Sequence, residues 1–138
     1  MSVTPSRTLR VVVADDHPSI RENLRYLLND ELGLVVVGVA KDGRDALRVV
    51  HGTRPDVLVV DSDMPDLKGL QVAEMLRSDG TPIGIVLYTL DGDACIDSAA
   101  SGVDACVTKD SPTSFLIDAI HRAAQSQPTQ PVESTTNT

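Results

Sequence analysis

Cysteine is scarce in this chain: Cys95 and Cys106 are the only two among 138 residues. They match no zinc-ligand spacing and are too few for the disulfide framework of a small secreted domain. Both are expected to be reduced, with Cys106 a small buried apolar residue. The chain also lacks any run of about 18 uninterrupted apolar residues, so it offers no candidate membrane-spanning helix. The opening "MSVTPSRTLR" carries two arginines, but Asp15 and Asp16 interrupt the apolar stretch that a secretory signal needs. The expectation is a cytoplasmic protein with no membrane partner. Positive charge is in deficit, with 12 Lys and Arg against 20 Asp and Glu and a formal net charge of −8. Phosphate backbones and anionic lipids are bound by cationic neutralisation, so direct nucleic-acid contact by this segment is not expected. No repeat is present beyond a generic alternation of strands and helices.

What is present suits one domain, since 138 residues of which 41% are hydrophobic can bury a core without staples. Five short runs rich in Val and Ile read as strands: "LRVVVA" (9–14), "LVVVGVA" (34–40), "DVLVVD" (56–61), "IGIVLYT" (83–89) and "DACVT" (104–108). Most are apolar on both faces, which implies a sheet covered on both sides. Between the first two, Ile20, Leu24, Leu27 and Leu28 form one helical stripe, with Pro18 in the first turn. Ala46, Leu47 and Val50 mark a second helix, stopped near His51, Gly52 and Pro55. Leu70, Val72, Ala73 and Leu76 mark a third, and a weaker fourth covers about 92–101. Phe115, Leu116, Ala119, Ile120 and Ala123 mark a fifth, with Ser111 as N-cap and Pro112 at N1.

Strand and helix alternating five times predict a doubly wound α/β fold with a five-stranded parallel sheet joined by right-handed crossovers. Residues 1–8 read as an N-terminal extension, 9–125 as the domain, and 126–138 as a polar linker or disordered tail. Ligands of such sheets bind outside the carboxyl ends of the strands, where strand order reverses. Functional-looking groups stand at those ends: Asp15 and Asp16 after the first strand, Asp61 after the third, Thr89 ending the fourth, and Lys109 after the fifth.

Taken singly, each has a bland reading as turn former, cap, strand residue or solvated end. Adjacent carboxylates repel by roughly 4 kcal/mol at about 4 Å and an effective dielectric near 20. They raise each other's pKa or recruit a cation. Asp61 follows the apolar "VLVV", beside a low-dielectric interior where a cation or donors are needed to keep it ionised. Hard oxygen ligands favour Mg²⁺, and a carboxylate beside it can attack phosphorus to give an acyl phosphate. An ammonium and a hydroxyl would then hold phosphoryl oxygens.

"VVVADDHP", "VLVVDSDMPDLKG", "VLYT" and "VTKDSP", in this order, make the chain similar to the receiver domain of bacterial two-component response regulators over about residues 9–125. The "DDHP" and "KDSP" variants most resemble receivers that precede a helix-turn-helix (LuxR-type) output domain. The resemblance implies a flavodoxin-like (βα)5 three-layer sandwich operating as a phosphorylation switch rather than an enzyme, one that promotes only its own phosphoryl transfer and dephosphorylation. Asp61 would be the phosphoacceptor, and Asp15, Asp16, Asp61 and the backbone carbonyl of Asp63 would hold Mg²⁺. Thr89 and Lys109 would meet the phosphoryl group, and Met64, Pro65 and Gly69 match the loop after the acceptor. Implied partners are a sensor histidine kinase, a second copy of the chain, and a downstream output domain or protein; a stand-alone and an excised receiver are both compatible with this length.

Two departures from the family pattern stand out. Cys106 occupies the position, three before the lysine, where an aromatic residue usually swings inward. Leu90 is bulkier than the small residue common after the Thr. Tyr88, next to Thr89, has a reading as substitute for that aromatic, but the favoured one is a strand residue with its ring on one face. Asp63 and Asp91 stand where similar domains tune acyl-phosphate lifetime, or are solvated loop carboxylates. His17 has a reading as phosphate acceptor or metal ligand, but a residue at a strand–helix junction is more often a cap or solvent contact; His51 and His121 read as helix-surface residues. Two other functions remain open: a phosphorylation-independent binding module, and an aspartyl-nucleophile phosphatase suggested by the Asp-x-Asp spacing of Asp61 and Asp63.

Overall fold

A computed structural model of the chain describes residues 8–126. Five parallel strands, β1 (Leu9–Ala14), β2 (Leu34–Ala40), β3 (Val57–Val60), β4 (Gly84–Thr89) and β5 (Ala105–Thr108), form one sheet in the order β2-β1-β3-β4-β5. The helices are α1 (Pro18–Asn29), α2 (Gly43–Thr53), α3 (Gly69–Ser78) and α4 (Thr113–Gln125).

Alternation along the strands divides the core in two. Val12, Ala14, Leu58, Val60, Ile85 and Leu87 face α2 and α3, where Ala46, Val50, Val72, Ala73 and Leu76 close over them. Val11, Val13, Val57, Val59, Val86 and Val107 face α1 and α4, through Leu24, Leu28, Leu116, Ala119, Ile120 and Ala123. Both faces of the central strands are therefore sealed, as the near-continuous apolar runs require. β2 lies at the sheet edge, and there Val35 is exposed. The expected doubly wound five-stranded parallel sheet is the observed one.

Some local expectations fail. The helix expected over 92–101 is two 3-10 turns, Gly92–Cys95 and Ser98–Ser101. Gly92 is a weak helix former, the Asp91 side chain accepts from Asp93 N–H at 2.9 Å, and Ile96 is exposed, so no apolar stripe is available to bury a longer helix. Gly102, at φ +94°, then turns the chain into β5. Pro112 rather than Ser111 is the N-cap of α4, and the Ser111 hydroxyl instead meets Thr108 Oγ1 at 2.8 Å. Phe115, expected on the buried stripe, is 59% exposed.

The cysteines also differ from expectation. Cys95 and Cys106 are bonded to each other rather than reduced, and Cys106 is half-buried rather than fully buried. The β4–β5 connection folds back on β5 and brings them together, a proximity that a composition count cannot reveal. The polar tail over 127–138 and the extension over 1–7 lie outside the described residues.

Candidate functional site

Strand register assembles the site. The ladder pairs Ala14 with Ala40 and with Val60, and it continues past both strand ends. Asp15 N–H donates to Ala40 O at 3.1 Å, and Asp61 N–H to Ala14 O at 2.9 Å. On the other side Thr89 pairs with Thr108, and Lys109 N–H donates to Thr89 O at 2.7 Å. All these residues therefore leave the same edge of the sheet. Chain order reverses here, since β1 lies between β2 and β3.

Asp15 is 1% exposed and Asp61 4% exposed. The Lys109 ammonium lies 2.7 Å from Asp15 Oδ2 and 3.3 Å from Asp61 Oδ1, with its side chain only 6% exposed. Asp15 Oδ1 accepts from the His17 backbone N–H at 2.9 Å and lies 3.0 Å from His17 Nδ1. The backbone carbonyl of Asp15 accepts from Arg21 Nη1 at 2.8 Å, which ties α1 to the site. His17 Nδ1 also lies 3.1 Å from Asp16 Oδ1, an oxygen that is buried without a hydrogen-bond partner.

Three carboxylates against one ammonium leave the pocket electron-rich. Burial raises the Asp61 pKa above its ordinary value; the neighbouring Asp15 charge adds to this, and Lys109 opposes it. For Lys109, burial acts downward. The Asp15 hydrogen bond and the Asp61 and Asp15 charges outweigh it, so the ammonium is held more firmly than usual. His17 is raised by its Asp15 hydrogen bond and by the Asp16 charge. One ligand atom each from Asp15, Asp16, His17 and Asp61 fall within 4.8 Å of one another. A hard divalent cation fits this set, because the donors are mainly carboxylate oxygens and the buried Asp16 Oδ1 has no hydrogen-bond partner.

The Thr89 hydroxyl is buried and lies 2.6 Å from Ser62 Oγ, the residue after Asp61, and it accepts from Asp91 N–H at 3.0 Å. The Asp63 side chain points to solvent, 3.1 Å from Lys68 Nζ and 85% exposed, so only its backbone remains available to the pocket. Gly69 opens α3 directly against the acceptor: a Cβ there would stand 2.3 Å from the Asp61 carbonyl oxygen. Glycine is needed at 69 for that close approach.

Tyr88 is half-buried, with its ring beside Lys109 Nζ at 6.0 Å from the centroid, and it lines a cleft with Ile20 and Leu24. Leu90 is 73% exposed, outside the pocket. Of the residues singled out in the sequence, Asp15, Asp16, Asp61 and Lys109 converge, and Thr89 joins them through Ser62. His17 is the N-cap of α1, as its place at a strand–helix junction suggests, and it also stands with the aspartates in the acidic cluster. Ser62 is a member to which sequence reasoning gave no role, and its one signal is adjacency to the acceptor.

Comparison with known proteins follows the same lines. The family model "Response regulator receiver domain" matches residues 11–121. The chain is 34% identical over 122 residues to the uncharacterized transcriptional regulatory protein YxjL of Bacillus subtilis, covering 86% of this chain and 56% of that one. It superposes on a solved NarL signal receiver domain from Mycobacterium tuberculosis with a TM-score of 0.82 at 32% identity, covering 89% of this chain and 100% of the other. A LuxR-family two-component response regulator from Aurantimonas gives a TM-score of 0.81 at 29% identity, covering 87% of each chain. This chain belongs to the response regulator receiver domain family. It spans about half the length of the curated relatives it matches, 56% of YxjL and 55% of the nitrate/nitrite response regulator NarP of Escherichia coli.

Proposed function

We propose that this receiver accepts a phosphoryl group from a histidine kinase on Asp61, with Mg²⁺, and changes its partner interactions in response. The observation that carries this reading is the buried Asp61 carboxylate, 3.3 Å from the Lys109 ammonium and grouped with Asp15 and Asp16 at the sheet edge. Asp15, Asp16 and Asp61, with the Asp63 carbonyl, would hold the cation. When bound, it would neutralise charge on the carboxylates and the incoming phosphoryl oxygens.

The chain's own groups then have distinct roles. Lys109 takes Asp61 Oδ1, which orients the other carboxylate oxygen for in-line attack. That oxygen's electron pair forms the O–P bond while the P–N bond to the donor imidazole breaks, and the imidazole leaves with the bonding pair. The product is an aspartyl phosphate, and Lys109 remains to pair with its oxygens. The Thr89 hydroxyl, now 2.6 Å from the hydroxyl of the residue after the acceptor, turns toward the new anion. Exchanging that bond shifts the balance between two arrangements of the β4–β5 connection. The chain turns over no external substrate. By relation to LuxR-family regulators, the reading extends to a kinase, a second copy and an output domain as partners.

The Asp-x-Asp phosphatase reading is disfavoured by the Asp63 carboxylate, which lies on Lys68 rather than over Asp61. Incubation with acetyl phosphate and Mg²⁺ should add one phosphoryl group to the intact mass, and Asp61→Asn should add none. Equal labelling of wild type and Asp61→Asn would remove Asp61 from the role of acceptor.

A further inference from the structure

Cys95 ends the first 3-10 turn after β4, and Cys106 lies in β5 opposite Leu87. Their Cα atoms are 5.6 Å apart, a separation that a disulfide spans without backbone movement. Both residues are half-exposed, so a small thiol can reach the bond.

The two halves of the β4–β5 connection are held differently. Residues 98–104 are fastened to α3 and β4: Arg77 Nε donates to Gly102 O at 2.9 Å, Arg77 Nη2 to Asp104 Oδ2 at 2.8 Å, and Ser101 Oγ to Glu74 Oε2 at 2.8 Å. Asp104 N–H donates to Ile85 O at 2.8 Å. Among the described residues, the hydrogen bonds of Asp91–Ile96 all stay within Thr89–Ser98. Ala94 packs on the core, whereas Leu90 and Ile96 are exposed. Among the described residues, the Cys95–Cys106 bond is thus the one cross-link of this half to β5, beyond the backbone that leads in from β4. A chain with two full apolar layers does not need a disulfide to fold, and single disulfides outside oxidising compartments are mostly reversible and redox-sensing.

We infer that Cys95 and Cys106 form a reversible thiol–disulfide modification site whose oxidation clamps the Asp91–Ile96 segment onto β5 and whose reduction releases it. The oxidant class is a low-molecular-weight disulfide, RSSR. One cysteine thiolate attacks it, forming a mixed disulfide and releasing RS⁻; the second thiolate then displaces the other RS⁻. The two cysteines lose two electrons to RSSR, and their two protons leave on two RSH. A dithiol reverses both steps.

The clamp joins elements flanking the site, since Asp91 N–H holds the Thr89 hydroxyl and Cys106 stands three residues before Lys109. Its effect on signalling rests on the function proposed above: the disulfide form takes the phosphoryl group, but the segment does not respond.

Hydrogen exchange read by mass spectrometry on the full chain tests the inference. Equilibration with oxidised glutathione should protect both thiols from alkylation. Subsequent reduction with dithiothreitol should raise exchange in peptides covering 90–97 by about tenfold, with α1 and α2 unchanged. Cys95→Ser should show the fast exchange with or without reductant, and Cys106→Ala serves the same purpose if that variant folds poorly. Unchanged exchange on reduction, or two alkylatable thiols after oxidised glutathione, overturns the inference. None of these readouts uses Asp61, so failure of acetyl phosphate to label either redox form would overturn the proposed function and leave this site standing.

Discussion

Replacing Lys109 by methionine tests the electrostatics of the pocket without leaving a large void. The ammonium pairs with Asp15 at 2.7 Å and Asp61 at 3.3 Å, and its side chain is 6% exposed. At an effective dielectric near 20 these two contacts are worth roughly 6 and 5 kcal/mol of gross Coulomb attraction. Desolvating the ammonium offsets much of that sum. Removing one member of a buried charge cluster strands the others, which costs about 3–5 kcal/mol and is a large share of a domain's stability. Urea unfolding at pH 7 in EDTA should therefore show Lys109→Met destabilised by about 3–5 kcal/mol. The sign with pH follows from the raised Lys109 pKa. Its contribution is fully present below the ordinary value of 10.5 and is lost only as pH rises through the higher native value. The deficit of the variant should shrink in acid, as Asp61 takes up a proton, and should shrink again on adding Mg²⁺. A variant within about 1 kcal/mol of wild type at pH 7 in EDTA would show that Lys109 and the carboxylates are not energetically coupled.

Three further perturbations have distinct signs. Asp61→Asn should raise the Tm of the metal-free chain at pH 7, because burial has lifted the native pKa above the ordinary 3.8 and the native state holds that proton more tightly than the unfolded chain. The gain should fade as pH drops through the native value toward 3.8, and calorimetry across that window checks it. Gly69→Ala places a Cβ 2.3 Å from the Asp61 carbonyl oxygen, so a stability loss of about 1–3 kcal/mol and slower acetyl phosphate labelling should appear together. Arg77→Ala removes donors to Gly102 O, Ile83 O and Asp104 Oδ2, and should cost about 2–3 kcal/mol with faster exchange confined near residues 98–104, read by urea unfolding and hydrogen exchange.

The fold was legible where periodicity is strong. "VLVV" between polar punctuation is short and rich in β-branched residues, which favours a strand covered on both faces, and residues 57–60 are that strand. The strand-end aspartates were legible because parallel topology sends every carboxyl end to one edge. What stayed hidden depends on contacts distant in sequence or on marginal local energies. Residues 92–101 carry too weak an apolar pattern to decide between helix and 3-10 turns. Phe115 fits the α4 stripe by spacing, yet it stands clear of the core. The Cys95–Cys106 bond depends on the connection folding back onto β5, which no local pattern encodes. His17 reads as a cap from its place at a strand–helix junction; its position across Asp15 and Asp16 emerges only with the backbone turn that bonds its N–H to Asp15.

Chemical trapping tests the central claim most directly. An aspartyl phosphate is reduced by borohydride to homoserine, so the position of homoserine reports which carboxyl was phosphorylated. Treatment with acetyl phosphate and Mg²⁺ followed by borohydride should place homoserine at position 61, dependent on the metal ion. Homoserine at 15, 16 or 63 instead, or none in a chain that is folded and metal-loaded, would contradict the assignment of Asp61 as phosphoacceptor.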